Sequence, residues 1–467
     1  MRIVVLALAL FTLAVPAAAA DKPNFIVILA DDLGYADLGC FGAVDMSTPE
    51  LDRLAQEGMR LTSFHVAAPT CTASRAALMT GCYPVRVGMG DAIAPRADGT
   101  TSPSRVLWPN SPFGLNPDEI TLPEILQKGG YVTGMIGKWH LGDPPKYNPV
   151  RHGFDEFFGV FFSNDMEPYD CYRNGDKLDE PIDRDLQTKR YTEEAVAFIR
   201  RSKDKPFFLY LAHTMPHIPL AASPEFRGKS KRGLYGDAVS EVDWSVGQMM
   251  ATLRELGLDK NTLVLFSSDN GGWLLRGEQG GLNTPLRGGK GGTYEGGMCV
   301  PCIAWQRGVI PDGSTCHELT AAMDLLPTFV AMAGGEVPGD RIIDGHDITP
   351  LLKGEAGAKS PWQHYFYYFG NELHAVRSGR WKFRAKNLLK NENIYNKEWR
   401  ETPIGESEIP PALYDLSRDP AEQKSVLGDH PKIAARLRGY LDIARQDLGD
   451  SLTGVEPTNA RPIGKDE

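Results

Sequence analysis

Residues 24–32 read Asn-Phe-Ile-Val-Ile-Leu-Ala-Asp-Asp, and this segment decides the fold. After Asn24 the side chains are apolar without interruption, so the segment lacks the polar alternation of a half-buried strand. An unbroken, β-rich apolar run is typical of a strand that is buried on both faces of a parallel sheet. Two carboxylates, Asp31 and Asp32, follow directly at its carboxyl end.

Three other segments have the same character, and we predict strands at 131–136, 206–212 and 262–267. Helical patterns lie before, between and after these strands. The helices are predicted to begin at Pro49, to span 119–129, to run from a Thr192 cap to residue 201, and to span 237–256. Strands that alternate with helices indicate an α/β fold, with a large, mostly parallel sheet sandwiched by helices.

Polar residues follow the predicted strands at similar positions. In open α/β sheets, ligands bind outside the carboxyl ends of the strands. We therefore expect one edge of the sheet to collect the side chains of Asp31, Asp32, Lys138, His140, His217, Asp269 and Asn270.

The chain of 467 residues divides into four predicted parts. Residues 1–20 have the apolar run and small-residue end of a secretory signal peptide. Residues 21–352 carry the alternating strand and helix pattern of a large α/β domain, which contains all the candidate site residues. Residues 353–450 predict a smaller C-terminal α+β domain of antiparallel strands and one helix at 431–448. The polar tail, 451–467, is expected to be loosely held.

Composition excludes some classes of protein. The net charge of −10 gives no basic footprint for nucleic-acid binding. No apolar run after residue 20 has the length of a membrane span, so no membrane insertion is expected. We expect an exported protein, periplasmic or secreted. The chain has no Asn-x-Ser/Thr glycosylation acceptor with a permitted middle residue, which favours a bacterial source.

Cys71 begins a short predicted helix, with Thr72 and Ser74 as capping candidates and Gly81 at its end. The N-terminus of a helix carries a partial positive charge that suits an anion. A cysteine there is an activated thiol, a ligand, a chemically altered residue or a buried structural residue, and the segment alone leaves these readings open. The chain has seven cysteines, so six remain for disulfides if Cys71 is reserved for chemistry.

The residue types at the expected sheet edge suggest a particular chemistry. Asp31, Asp32, Asp269 and Asn270 offer oxygen ligands, which Ca²⁺ or Mg²⁺ prefer; the alternative is that each aspartate caps the following helix. Fixed cations suit a tetrahedral oxyanion such as sulfate or phosphate. Histidines can transfer protons, although a lone histidine is more often structural. The cationic and imidazole candidates are Arg75, Lys138, Lys290, His140 and His217.

Five segments resemble the type I sulfatases of the alkaline phosphatase superfamily, in the order in which that family carries them. They are Asn24–Gly34, Cys71-Thr-Ala-Ser-Arg75, Gly130–His140, Ser268-Asp-Asn-Gly271 and Leu413–Pro420, and the resemblance covers nearly the whole mature chain. It implies an alkaline phosphatase-like fold and the hydrolysis of an aryl sulfate or a sulfated carbohydrate. Two alternatives remain: a phosphonate or phosphate ester hydrolase on the same scaffold, and a binding protein for sulfated glycans if Cys71 stays unmodified.

The resemblance also implies a role for each site residue. A maturation enzyme would convert Cys71 to formylglycine, and the resulting residue would complete a calcium shell made by Asp31, Asp32, Asp269 and Asn270. Arg75 would hold the formylglycine diol, and His140 would orient it. His217 is chosen over His213 as the group near the leaving oxygen. The sulfate contacts would be Lys138, Lys290 and Ser163.

The sequence departs from the family pattern at two places. Ala73 stands where many members have proline, and Met298-Cys299 stands where many have an arginine after the glycine pair. A disulfide from Cys299 to Cys302 or Cys316 is one option. Substrate choice is expected to lie in the loops at 90–115 and 161–190.

Overall fold

A ten-stranded sheet forms the centre of the protein, which we describe from a computed structural model over residues 22–95, 101–178, 182–388 and 408–466. The sheet is parallel through its five central strands and antiparallel at several outer pairs. In spatial order the strands are Asp176–Lys177, Tyr172–Arg173, Glu156–Val160, Val132–Lys138, Phe207–Ala212, Asn24–Ala30, Thr262–Ser268, Cys302–Trp305, Met59–Leu61 and Ser314–Cys316.

Helices cover both faces of this sheet, which confirms the predicted α/β architecture. Ile26 and Ile28 pack against the helices Gln187–Ser202 and Gly233–Glu255 on one face. The other face carries Phe25, Val27 and Leu29, and it is covered by the helices Cys71–Thr80, Leu122–Lys128 and Leu325–Met332. Because alternate residues of one strand are buried on opposite sides, the strand has to be apolar throughout.

The remaining α-helices of the described residues are short, apart from the last. They are Pro49–Gln56, Glu295–Met298, Thr349–Leu352 and Pro431–Leu448. Leu51, Leu54 and Ala55 are buried in the first of these, as the sequence predicted.

The C-terminal part is built as expected, from antiparallel strands and a helix. Its four-stranded sheet consists of Tyr365–Phe369, Glu372–Ser378, Trp381–Arg384 and Ala412–Asp415. The helix Pro431–Leu448 packs on this sheet through Leu437 and Leu441. Smaller sheets pair Cys299–Val300 and Thr320–Ala321 with Phe64–His65, Asn387–Leu388 with Glu408–Ile409, and Ala92–Pro95 with Thr101–Ser104.

Three predicted helix starts are wrong, and two of them involve threonines. The helix expected from Thr192 begins at Gln187. Inside this helix, the Thr192 hydroxyl donates to the carbonyl of Thr188 at 2.7 Å. A threonine can satisfy its hydroxyl in this way within a helix, so its presence does not mark an N-terminus. The helix expected at 119–129 begins at Leu122, because Thr121 and Glu124 form a capping box ahead of it.

The helix expected from Asp237 also begins earlier, at Gly233. The Asp237 carboxylate accepts hydrogen bonds from the backbone N–H groups of Gly228, Lys229 and Ser230. Asp237 therefore lies in the first turns of the helix, and its side chain holds the loop that precedes the helix.

The tail after residue 450 is anchored, so the prediction that it is loosely held is wrong. Its strand Gly464–Lys465 pairs with Phe113–Gly114. Arg461 forms an ion pair with Glu119 at 2.7 Å. These partners are more than 300 residues away in sequence, and a local reading of polar composition does not reveal them.

All seven cysteines lie in the described residues and are free thiols, so the expected disulfides are absent there. Cys316 pairs in register with Leu61, and Cys302 lies on the strand at the other side of the Met59–Leu61 strand. Two strand spacings amount to about 9–10 Å, which exceeds the roughly 7 Å that a disulfide tolerates. Cys299 lies near the carbonyl of Thr62, with its sulfur 3.6 Å from that oxygen.

None of the helices in the described residues combines the length and the apolar character that crossing a membrane requires. The predicted signal peptide, residues 1–20, lies outside the described residues.

Candidate active site

Two neighbouring parallel strands deliver the acidic residues to one place. Asn24–Ala30 ends before Asp31 and Asp32, and its neighbour Thr262–Ser268 ends before Asp269. One ligand atom from each of these three aspartates and the sulfur of Cys71 all lie within 4.8 Å of one another. The expected convergence at the carboxyl ends of the strands is therefore present in the structure.

Cys71 is the first residue of the helix Cys71–Thr80, and its sulfur lies 3.6 Å from Oδ1 of Asp31. The predicted caps are wrong. No side chain caps this helix, and the Thr72 hydroxyl accepts a hydrogen bond from the N–H of Leu107 instead. Gly81 ends the helix as predicted, in the left-handed conformation with a φ of 66°. Burial raises the pKa of the Cys71 thiol, although Lys138 and Lys290 oppose that effect.

Arg75 lies one turn further along the same helix and holds Asp269. Its Nε and Nη2 donate to Oδ2 of Asp269 at 3.0 and 2.9 Å, and its Nη1 donates to the carbonyl of Lys138 at 2.7 Å. Burial would lower the pKa of Arg75, but Asp269 and Asp31 raise it, so the guanidinium stays charged. The helix that carries Cys71 is thereby tied to two strand ends.

Each of the first two aspartates is paired with a lysine. Lys138 Nζ lies 2.5 Å from Asp31, and Lys290 Nζ lies 2.8 Å from Asp32. Burial would raise the pKa of Asp31, but Lys138, His217 and Arg75 together lower it to about 2. Burial, aided by Asp31, raises the pKa of Asp269.

His140 and His217 both lie at this edge, and burial lowers the pKa of each. His140 Nε2 donates to the carbonyl of Leu107 at 3.0 Å, so Nδ1 carries the lone pair of the neutral ring. His140 Nδ1 has no hydrogen-bond partner among the described residues. His217 Nδ1 donates to the carbonyl of Ile218, and its Nε2 lies 3.6 Å from Oδ2 of Asp32.

The other two candidates are placed differently. His213 lies 3.2 Å from the hydroxyl of Ser245 on a helix that covers the sheet, which agrees with the preference for His217. Ser163 follows the strand Glu156–Val160, and it is buried. Its hydroxyl has no hydrogen-bond partner within the described ranges.

The donor set fits a hard divalent cation. Asn270 donates its amide N–H to Oδ1 of Asp32 at 2.7 Å, while its own Oδ1 is buried and has no protein partner in the described parts of the chain. That oxygen and the carboxylates of Asp31, Asp32 and Asp269 offer only the ligand type that Ca²⁺ and Mg²⁺ prefer. The orphaned oxygen would gain a partner from a bound ion.

Asn283 was not found by sequence reasoning, yet it fixes three loops of the site. Its Oδ1 accepts from the N–H groups of Tyr35 and Gly272 at 3.2 and 2.9 Å. Its Nδ2 donates to the carbonyls of Gly272 and Gly288 at 3.1 and 3.0 Å. Asn283 thus joins the loops that carry Asp32, Asn270 and Lys290. The only local signal, an Asn-Thr-Pro turn, is too common to point to such a role.

Trp273 was also missed. Its ring centroid lies 5.5 Å from that of His217 and 4.4 Å from Nζ of Lys290. A large aromatic residue directly after the Asp269–Gly272 loop was the available signal.

An α/β sheet with a buried acidic and cationic cluster at its carboxyl edge is suited to binding a divalent cation and an oxyanion. Residues 23–335 match the family model described as sulfatase, and residues 360–461 match the C-terminal region of aryl-sulfatase. The chain therefore belongs to the sulfatase family, and the resemblance seen in its motifs is confirmed.

Curated relatives extend over most of the chain. It is 39% identical to N-acetylgalactosamine-6-sulfatase of Mus musculus over 446 residues, which cover 87% of this chain and 82% of that protein. It is 38% identical to arylsulfatase A of Homo sapiens over 454 residues, which cover 90% and 86%. The chain is thus a sulfatase, an enzyme of the sulfuric ester hydrolase class.

Solved structures share the fold. PsFucS1 sulfatase from Pseudoalteromonas sp. superposes with a TM-score of 0.79 at 29% identity, covering 90% of this chain and 89% of that one. Ps i-CgsB, in complex with k-i-k-neocarrahexaose, gives a TM-score of 0.75 at 30% identity, covering 91% and 92%. A phosphonate monoester hydrolase of Agrobacterium radiobacter shares the fold at 19% identity, with a TM-score of 0.61.

Removal of the Asn283 side chain is predicted to destabilise the protein. Asn283→Ala loses four hydrogen bonds, three of them buried, and we expect the free energy of unfolding to fall by about 2–5 kcal/mol, because buried partners are left unsatisfied. Urea denaturation followed by tryptophan fluorescence measures this change. Asn261→Ala is the matched control: its amide donates one hydrogen bond, to the carbonyl of Lys22, at the protein surface. Equal loss in the two variants would contradict the role of Asn283.

Proposed function

We propose that this sulfatase cleaves its substrate through a formylglycine formed from Cys71, with Ca²⁺ held by Asp31, Asp32, Asp269 and Asn270. The observation that carries the proposal is the position of Cys71. It begins a helix inside a cluster of three carboxylates, and its sulfur and their oxygens lie within 4.8 Å of one another. Mg²⁺ is the alternative ion, because it also prefers oxygen ligands.

A modified residue explains the chemistry better than a thiol does. Attack by a thiol on sulfur would leave a stable thiosulfate ester with no internal group to release sulfate. The hydrated aldehyde of formylglycine supplies one hydroxyl as the nucleophile and a second whose deprotonation expels sulfate as the aldehyde reforms. A cation held by Asp31, Asp32, Asp269 and Asn270 would polarise the sulfate and favour the deprotonated hydroxyl.

The surrounding side chains bind and orient the reacting groups. Lys138 and Lys290 are assigned to the sulfate oxygens, where buried cations stabilise developing negative charge. Arg75 and His140 are assigned to residue 71, and the free Nδ1 of His140 accepts the proton of its hydroxyl. His217 is assigned to the side of the leaving oxygen, where its Nε2 also lies 3.6 Å from Oδ2 of Asp32. Ser163, with its unpartnered hydroxyl, is assigned as a further donor to sulfate.

We infer that the natural substrate is a sulfated carbohydrate, with aryl sulfates as convenient substitutes. The name of the mouse relative specifies an N-acetylgalactosamine sulfate, and the solved Ps i-CgsB contains a bound neocarrahexaose. Both are at least 30% identical to this chain, so they support the proposal. A second, non-catalytic role as a binder of sulfated glycans applies only if Cys71 is not modified.

The division of the chain and its export are also proposals. We place the catalytic domain at 21–352 and the C-terminal domain at 353–450, with the tail at 451–467. The first family match ends at residue 335 and the second begins at residue 360, which supports a boundary between them. We further propose that the chain is exported to the periplasm or secreted, and that a formylglycine-generating enzyme acts on it.

Modification of Cys71 is directly measurable. The tryptic peptide Leu61–Arg75 from natively expressed protein is predicted to be lighter by about 18 Da, because CH₂SH becomes CHO. Peptide mass spectrometry tests this shift. Cys71→Ala provides the control and is expected to lose turnover while its thermal stability stays close to that of the parent protein. An unmodified Cys71 would exclude the formylglycine mechanism and leave the binding role.

Cation binding should depend on Asn270. We expect Asn270→Ala to raise the dissociation constant for Ca²⁺ by about tenfold or more, as loss of a metal-site group generally does. Isothermal titration calorimetry on EDTA-stripped protein measures it, with Mg²⁺ titrated in parallel. Asn261→Ala, which lies outside the site, is expected to bind as the parent does. An unchanged affinity in Asn270→Ala would remove Asn270 from the ligand set.

The preference for sulfate or phosphate esters distinguishes the sulfatase hypothesis from the phosphonate or phosphate ester hydrolase hypothesis. We expect kcat/KM to be higher for 4-nitrophenyl sulfate than for 4-nitrophenyl phosphate. Parallel initial-rate measurements on the same preparation, with Cys71→Ala as the blank for contaminating activity, provide the comparison. A higher kcat/KM for phosphate would favour the phosphonate or phosphate ester hydrolase.

A further inference from the structure

Trp273 forms a wall of the site on the side assigned to the leaving group. It contacts two residues of that side, with 5.5 Å between its ring centroid and that of His217 and 4.4 Å between its centroid and Nζ of Lys290. A sugar attached to the scissile sulfate leaves from this side. Its other substituents therefore lie close to Trp273.

Arg276 stacks on the same indole. It belongs to the short 3₁₀ segment Leu274–Gln279, and its guanidinium carbon lies 4.0 Å from the centroid of the Trp273 ring. The Arg276 side chain is exposed, and its backbone N–H donates to the carbonyl of Trp273. Stacking on an aromatic face holds a guanidinium in a defined orientation.

The Arg276 guanidinium forms no ion pair within the described part of the protein, although Glu278 lies on the same segment. Lys290, which touches the same indole, is paired with Asp32. A guanidinium that is fixed, exposed and unpaired presents a fork of N–H donors to an incoming carboxylate or sulfate.

We propose that Arg276, held by Trp273, forms a second anion subsite, so that the preferred substrate is a sulfated sugar with a second anionic group near the scissile sulfate. This inference rests on the proposed function, since it takes His217 and Lys290 to border the leaving group. A uronate carboxylate and a second sulfate share the required chemistry. The sequence predicted that the loops at 90–115 and 161–190 determine substrate choice, whereas this subsite lies at 273–276.

The test compares paired sulfated sugars that differ only in a second anionic group. One pair adds a second sulfate to a monosulfated hexosamine, and another adds a uronate to it. Each compound is measured as a substrate and as a competitive inhibitor of 4-nitrophenyl sulfate hydrolysis. We expect the wild-type enzyme to prefer the member with the second anion in at least one pair, by about tenfold.

Arg276→Gln is expected to reduce that preference by about tenfold, through KM or the inhibition constant rather than through kcat, because a polar side chain without charge replaces the guanidinium. The matched control is Arg380→Gln. Arg380 also stacks on a tryptophan, with its guanidinium carbon 4.8 Å from the Trp381 centroid in the C-terminal sheet. We expect the Arg380→Gln variant to prefer the substrate with the second anion as strongly as the wild-type enzyme does.

The outcomes separate this inference from the function on which it rests. Turnover of 4-nitrophenyl sulfate by the wild-type enzyme, which has no second anion to recognise, reports the sulfatase activity alone. If that turnover is present and neither pair shows a preference, or if Arg276→Gln keeps the preference, the second anion subsite is wrong. A preference within only one pair identifies the group as carboxylate or sulfate.

Discussion

The repulsion among three buried carboxylates is the constraint on which the site depends. Two unit charges 4.8 Å apart, the upper limit of the separations within the cluster, repel by roughly 3–4 kcal/mol at an effective dielectric constant of about 20. Cations lie in direct contact with the same carboxylates: Lys138 lies 2.5 Å from Asp31, and Lys290 lies 2.8 Å from Asp32. Their attraction opposes the repulsion and allows adjacent strands to end in aspartates inside the protein.

The same pairing fixes the geometry of distant parts of the chain. Arg75 joins the helix of Cys71 to Asp269 and to the carbonyl of Lys138, while Asn283 joins the loops around them. The backbone contributes as well. Asp32 and His140 have positive φ values of 67° and 63°, which are uncommon for residues other than glycine. Such conformations persist only where the surrounding contacts hold them, and here they direct two of the site's side chains.

The sequence was sufficient for those parts of the fold in which local pattern and tertiary structure agree. The apolar run before Asp31 had to be a strand buried on both faces, and the parallel arrangement then brought Asp269 beside it. Short-range polar signals were less reliable, because a hydroxyl has several ways to find a partner. Thr72 accepts from Leu107 and Thr192 bonds within its own helix, so neither is a cap.

Features that depend on contacts between distant segments could not be predicted. Arg461 meets Glu119, and Asn283 meets Tyr35, at sequence separations of 342 and 248 residues. Cysteine number alone also suggested disulfides, whereas the sheet places a strand between Cys302 and Cys316. Sequence motifs found most of the side chains that cluster at the candidate site, and they missed Asn283, which joins the loops that carry three of them.

The charge balance of the site explains why an oxyanion is a suitable ligand. Arg75, Lys138 and Lys290 match the three aspartates in number, so the cluster without a cation is close to neutral. A divalent cation on Asp31, Asp32, Asp269 and Asn270 would make the site positive and would release the lysines from part of their attraction to the carboxylates. They could then turn to the oxygens of a sulfate ester. Acidic residues, which alone would repel an anionic substrate, would thus allow the site to hold a cation and, through it, to attract sulfate.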